Sequence, residues 1–323
     1  MKKLTYSQEN IVAGLTIIIF FVFSLTLNQF LSAGNLASLV RGVSILGILS
    51  LAMSIAVIGR GIDLALVATM ITSMAVGLTL AKWGWAMPAA LGAGLLFAIG
   101  IGLLVGTIVA YAEIPAIFTT LAMAPIAFSL GRSFFFDVDL ITLPQGIRWL
   151  EALGYGSLFG VPYIILAFGL MCIVVHLILG YTVFGRFIYA AGDNPLTAKI
   201  TGLPLRPVIV SQYVIGSVIA FSAALVMAAS NSSINTRLMN STMVYDVLLV
   251  VVLGGIGLSG GRGGVRNVII GTLLVGTLLN GMTIMDVNYT FQNLIKSTIL
   301  LGALVVDTLL NPRDEQTAQQ GDI

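Results

Sequence analysis

The stretch Met87-Pro-Ala-Ala-Leu-Gly-Ala-Gly-Leu-Leu-Phe-Ala-Ile-Gly-Ile-Gly-Leu-Leu-Val-Gly-Thr-Ile-Val-Ala-Tyr111 carries no charged side chain. A hydrocarbon core about 30 Å thick needs roughly 20 apolar residues in helical form, so this segment is long enough to cross a bilayer. It is continuously apolar and does not alternate, which argues for a helix and against a barrel strand. Nine further runs read the same way: Asn10 to Phe30, Leu39 to Ile58, Leu64 to Leu80, Pro115 to Phe136, Pro162 to Gly180, Val208 to Ala229, Met243 to Leu253, Val268 to Met285 and Leu294 to Leu310. The expected fold is therefore an all-α polytopic membrane protein with about ten transmembrane helices.

Composition agrees. Hydrophobic residues make up 58% of the 323 and charged residues 9%, where soluble domains hold roughly a quarter charged. The net charge of +2 is too small to suggest a nucleic-acid partner, and the single cysteine, Cys172, excludes an internal disulfide. The first apolar run is too long for a signal peptide and reads as the first span. If the N-terminus is cytoplasmic, Lys2, Lys3, Arg60, Arg186, Lys199, Arg206, Arg262, Arg266 and Arg313 fall on that side, nine of fifteen basic residues. The positive-inside rule then places both termini in the cytoplasm. Residues 1–310 form one transmembrane domain on this reading, and the polar tail 311–323 is expected to be disordered. No loop is large enough for an ATPase or a solute-binding domain.

Catalytic constellations fail one by one. No lysine follows a glycine, so there is no P-loop. Gly255-Ile-Gly257-Leu-Ser-Gly260 fits G-x-G-x-x-G but emerges from a span instead of a strand, and reads as a tight glycine loop. Cys172 and His176 share a helical face without further ligands. Neither catalytic residues, nor a metal, nor a cofactor are expected. Ionisable groups inside a membrane are functional hypotheses by default, which singles out Asp63, Glu113, Asp246 and Arg132. Asp63 and Glu113 stand at span boundaries, and Asp246 fits either a structural hydrogen bond or the translocation path. Gly92, Gly94, Gly100, Gly102 and Gly106 read as close helix packing, the last two as a G-x-x-x-G pair.

Two hydrophilic islands remain, Thr182 to Pro207 and Leu253 to Gly264. In the first, Asn194 is a good N-cap, Pro195 a good first helical residue, and Gly202 a good C′ residue with Pro204 beyond it. That predicts a short cytoplasmic helix pinned at both ends between two spans, a docking element for a soluble partner. The second holds seven glycines between Gly254 and Gly264, which suggests close backbone approach near that partner or an inner gate.

Thr182-x-x-Gly185-Arg186-x-x-x-Ala190-x-Gly192-x-Asn194-x-x-x-Ala198-x-x-Thr201-Gly202 resembles the permease subunits of bacterial ABC importers of the ribose, galactose, arabinose and xylose type. So do Gly59-x-Gly61-Ile-Asp63-Leu64, Ile114-Pro115 to Met123, Tyr245-Asp246 through Gly260-Gly261, and Lys296 to Asp307. The resemblance implies a type II importer-like permease bundle in the bacterial plasma (inner) membrane. It implies three partners: a cytoplasmic tandem ABC ATPase, a periplasmic or lipid-anchored sugar-binding protein, and a second permease chain in a homodimer or heterodimer. Carried over by position, Gly185, Arg186, Gly192, Asn194 and Gly202 would couple to the ATPase. Asp63, Asp246, Gly254, Gly255, Gly260 and Gly261 would belong to a gate or the translocation path. The chain departs from the family pattern at Ala65, Leu66 and Val67, where Ser, Val and Gly are usual, and at Val247 to Val250, where alanines are. A stand-alone proton- or ion-coupled carrier using Asp63, Glu113 and Asp246 is the competing reading.

Overall fold

The computed structural model describes residues 8–144 and 146–310. In chain order these form α1 (Gln8–Thr26), α2 (Ala33–Ile58), α3 (Leu66–Lys82), α4 (Met87–Tyr111), α5 (Ala116–Phe134), β1 (Leu140–Thr142), α6 (Arg148–Tyr155), β2 (Ser157–Leu158), β3 (Val161–Pro162), α7 (Tyr163–Tyr181), α8 (Val183–Asp193), α9 (Pro195–Ile200), α10 (Leu205–Asn231), β4 (Ser233–Asn235), a 3-10 turn (Thr236–Asn240), α11 (Met243–Leu253), α12 (Val265–Ile284) and α13 (Tyr289–Leu310). Eight are long and apolar enough to cross a membrane, and α3 and α11 are shorter apolar helices. All ten sequence runs are thus helical. The expected disordered tail lies outside the described residues.

The bundle is layered by burial. α3 is buried from Leu66 to Leu80, and α2 from Val43 to Ile58. α10 and α4 enclose them, with Gly102 and Gly106 as the contact. A Cβ on Gly102 would stand 2.5 Å from Ser217 Oγ and 2.8 Å from the Tyr213 carbonyl, and one on Gly106 would stand 2.7 Å from Val210 Cα. Small residues at such crossings let backbones approach in a solvent that offers no hydrophobic drive between helices. Gly94 packs likewise on Ser73, but Gly92 and Gly100 face open space and do not belong to the packing stripe expected from the sequence. α1 and α13 flank the bundle and turn Ile17, Phe21, Leu25, Leu294, Leu301 and Val305 outward. A reciprocal amide pair, Asn35 Nδ2 to Asn280 Oδ1 at 3.0 Å and Asn280 Nδ2 to Asn35 Oδ1 at 2.8 Å, ties α2 to α12.

The two ends differ. At one, β1 and β4 pair antiparallel, Leu140 opposite Asn235, and Asp139 bridges Arg132 at 2.9 Å and Arg237 at 2.8 Å. These guanidinium groups hold the Asp139 carboxyl below its usual range. The tie is therefore present at neutral pH and is lost as pH falls through that lowered value. At the other end lie α8, α9, the glycine turn 254–264 and the start of α1. Glu9, Tyr189 and Gly263 to Asn267 line one cavity there of about 290 Å³.

Gly106→Leu should force α4 off α10 and destabilise the bundle by about 1–3 kcal/mol, the usual cost of overpacking. Gly100→Leu, with nothing within 4 Å, should be nearly silent. Thermal unfolding of the detergent-solubilised protein checks both, and equal effects of the two would refute the assigned contact.

Candidate functional site: a backbone junction at one end of the bundle

Helix C-termini leave their last four carbonyls without intrahelical partners. In α2 those belong to Ile55, Ala56, Val57 and Ile58. The first three are taken locally, by the N–H groups of Gly59 at 3.2 Å, Gly61 at 2.7 Å and Arg60 at 3.0 Å, with Arg60 at φ 70°. The fourth is taken from two hundred residues away: Gly261 N–H donates to the Ile58 carbonyl at 2.8 Å.

That bond makes the glycine requirement quantitative. Gly260 and Gly261 have φ of 79° and 72°, in the left-handed region that costs other residues about 1–2 kcal/mol. A Cβ on Gly261 would lie 2.7 Å from Asp193 Cα, and one on Gly260 2.6 Å from Arg60 Cγ. On Gly192 it would run into the Ile58 carbonyl itself and stand 2.6 Å from the Gly261 nitrogen. Three segments, Ile58 to Arg60, Gly192-Asp193 and Gly260-Gly261, thus meet backbone to backbone. The two hydrophilic islands form one structure.

The glycine turn is pinned on its other sides as well. Asn267 Nδ2 donates to the Gly254 carbonyl at 2.7 Å, Tyr189 Oη to the Gly263 carbonyl at 2.7 Å, and Leu258 N–H to Asp307 Oδ2 at 3.2 Å. Burial pushes the Tyr189 phenol up, so it remains a donor. Gly254 packs against the Asn267 and Val250 carbonyls, and Gly255 supplies a φ of 93°. Asn267 and Tyr189 escaped the sequence reading because a lone Asn or Tyr near a span end carries no signature, and Asp307 entered it only as the end of the matching Lys296 to Asp307 stretch. The turn's glycines were the visible half of each contact.

The first island holds more helix than its composition suggests. Thr182 accepts from Gly185 N–H at 3.0 Å and caps α8, an element absent from the sequence expectation. Its signal was the spacing of Phe184, Phe187, Ile188 and Ala191, one face of a helix. Gly185 packs on the Ile178 and Leu179 carbonyls, and Arg186 is exposed. The expected short helix is α9: Asn194 Oδ1 accepts from Thr197 N–H at 2.9 Å, Pro195 is its first residue, and Gly202 follows at φ 81°. Ala198 buries against Ala191 and Leu205, while Leu196 and Ile200 point outward at 49% and 86% exposure.

The remaining candidates fall elsewhere. Asp63 is buried in the bend between α2 and α3, where its Oδ1 accepts from Ala65 N–H at 3.0 Å and Thr120 Oγ1 donates to the Ile62 carbonyl at 3.1 Å. Glu113 sits in the α4–α5 turn and pairs with Arg206 at 3.1 Å, both partly exposed. Asp246 pairs with Lys296 between α11 and α13, Nζ 2.7 Å from Oδ1. The three carboxylates have separate partners and form no relay. Val67 and Val247 to Val250, where the chain departs from the usual pattern, are buried and add bulk to the core.

Residues 35–306 match the family model described as the branched-chain amino acid transport system / permease component. The chain belongs to this family. The permease is 26% identical to the ribose import permease protein of Escherichia coli strain K12 over 301 residues, 93% of each chain. It is 28% identical to the L-arabinose ABC transporter permease protein of Azospirillum brasilense over 291 residues, 90% of this chain and 85% of that one. The fructose import permease protein of Rhizobium meliloti is 26% identical over 291 residues, 86% of this chain and 79% of its own. No solved structure matches.

Gly192→Leu and Gly261→Leu should each open the junction, since the new side chain meets backbone that cannot rotate away. Limited proteolysis should then cut the turn around Arg262 faster than in the parent. Unchanged cleavage would reduce the turn to a plain connector.

Proposed function

We propose that this chain, one permease domain over residues 1–310, is the membrane subunit of an ATP-driven importer for a monosaccharide or similar small polar solute. The supporting observation is the membership of the permease family together with the capped α8–α9 element, which projects exposed apolar side chains from the end where the glycine turn closes on α2. The relatives bear ribose, arabinose and fructose in their names, which favours a small sugar.

In this reading α9 is the docking element for a cytoplasmic tandem ATPase, presenting Leu196, Lys199 and Ile200. Gly185, Arg186, Gly192, Asn194 and Gly202 shape and seat it. A push on α9 reaches α8 at Ala191, then α2 and the glycine turn through Gly192 and Gly261. A junction built of backbone transmits such displacement because it has no side-chain torsion to absorb it. Solute would be delivered by a periplasmic or lipid-anchored binding protein and would pass along a second permease chain. The α8 end faces the cytoplasm, in keeping with Arg60, Arg186, Lys199, Arg206, Arg262 and Arg266. The bacterial inner membrane is the expected location.

The test is uptake of labelled ribose, arabinose or fructose into vesicles holding the assembled transporter. Uptake should require ATP and the binding protein, survive a collapsed proton gradient, and persist in Glu113→Gln. Ile200→Asp, at an 86% exposed position, should express and insert normally yet lose most of the uptake. Gly202→Val should act alike by straining the φ 81° turn that ends α9. Uptake by this chain alone, driven by a pH jump and lost in Glu113→Gln, would overturn the proposal.

A further inference from the structure

α11 has 11 residues, so at 1.5 Å per residue it covers only about 16 Å, roughly half a hydrocarbon core. Its last residue adjoins the glycine turn at the α8 end, which leaves its first turn near mid-depth. The chain before it is non-helical, β4 and the 3-10 turn, with Ile234 and Thr236 fully buried.

At that level α11 and α13 share a polar network. Lys296 Nζ lies 2.7 Å from Asp246 Oδ1 and donates to Thr242 Oγ1 at 3.2 Å, and Thr242 Oγ1 donates to Asn293 Oδ1 at 3.0 Å. The hydroxyls of Thr242 and Tyr289 are 3.3 Å apart, and the ammonium stands 6.0 Å from the Tyr289 ring centroid. A second measure of depth agrees: Lys296 is about three helical turns before Asp307, which bonds the glycine turn at Leu258.

The pair itself is nearly buried, at 8% and 14% side-chain exposure, but its rim is open. Tyr245 and Tyr289 are more than half exposed, Asn293 is half-buried and Ser297 is exposed. Charged groups inside a membrane bundle are expensive, pair with one another, and mark functional sites by default. A salt-bridged lysine and aspartate present no net charge, so the network has no preference for an ionic solute. Its open rim offers hydroxyls that donate and accept, an amide, and two aromatic rings. That is the chemistry of a polyhydroxylated solute, whose hydroxyls both donate and accept and whose C–H faces lie on rings.

We infer that the rim of the Asp246–Lys296 network, formed by Thr242, Tyr245, Tyr289, Asn293 and Ser297, is a contact station for a sugar on its way through the permease. The inference rests on the importer reading above and places the path along the shared face of α11 and α13.

The test uses the single cysteine. In a Cys172→Ser background, Ser297→Cys, Tyr245→Cys and Ile295→Cys are introduced one at a time into the assembled transporter, Ile295 lying on the opposite side of α13. A water-soluble methanethiosulfonate reagent should modify the first two about tenfold faster than the third, since thiols ionise in water and not in lipid. Saturating ribose, arabinose or fructose, whichever the parent takes up, should slow both. Equal reactivity at all three positions, or no protection by the sugar, would overturn the station. A second arm separates it from a simple helix clamp. The charge swap Asp246→Lys with Lys296→Asp keeps a clamp intact, so transport at the parental KM in the swapped protein would also overturn it; a KM raised about tenfold with the thermal midpoint retained supports it. Failure of the parent to take up any sugar would instead count against the importer reading, which keeps the two failures distinct.

Discussion

The carbonyl of Ile58 is the group on which the rest of this end of the molecule depends. A helix terminus buried within the protein must find a donor for its last oxygen there. Here the donor is the Gly261 amide, and accepting it imposes everything around it. Gly261 must take a left-handed conformation, Gly260 must let Arg60 pass, and Gly192 must lack a side chain altogether. One satisfied hydrogen bond thus fixes three glycines on two segments and seats α8 against the bundle.

The same constraint explains how the molecule treats its ionisable groups. Glu113 and Arg206 meet at a partly exposed rim, and Asp139 holds two arginines at the opposite end. Lys296 and Asp246 form a nearly buried pair, and they meet at the start of the short α11. Asp63 spends an oxygen on Ala65, at the start of α3. Of the carboxylates singled out from the sequence, Glu113 and Asp246 each meet a basic side chain and Asp63 a backbone amide.

The work of α9 is divided between its two faces. Its buried face is a single Ala198 packed on Ala191 and Leu205, small enough that the helix depends on its caps for position. Its outward face carries Leu196 and Ile200 beyond the bundle, where solvent gives them no reason to be apolar. Caps at both ends hold α9 beside α8, whose Gly192 packs on the end of α2.

Sequence alone determined the ten helices, because length and unbroken apolarity are local properties, and it determined α9, because Asn194, Pro195 and Gly202 act within a few residues of themselves. It reached the glycines of the turn as a conformational demand without their partners. α8 was hidden by the polar composition of its island, although its apolar spacing was there to be read. Tertiary structure alone decided that Gly192 meets Gly261 across Ile58, that Asn267, Tyr189 and Asp307 hold the turn, and that Lys296 answers Asp246. Those are contacts between segments from about 50 to 200 residues apart in most cases, set by which helices pack side by side; no local pattern encodes them, because each residue involved is ordinary until its partner is beside it.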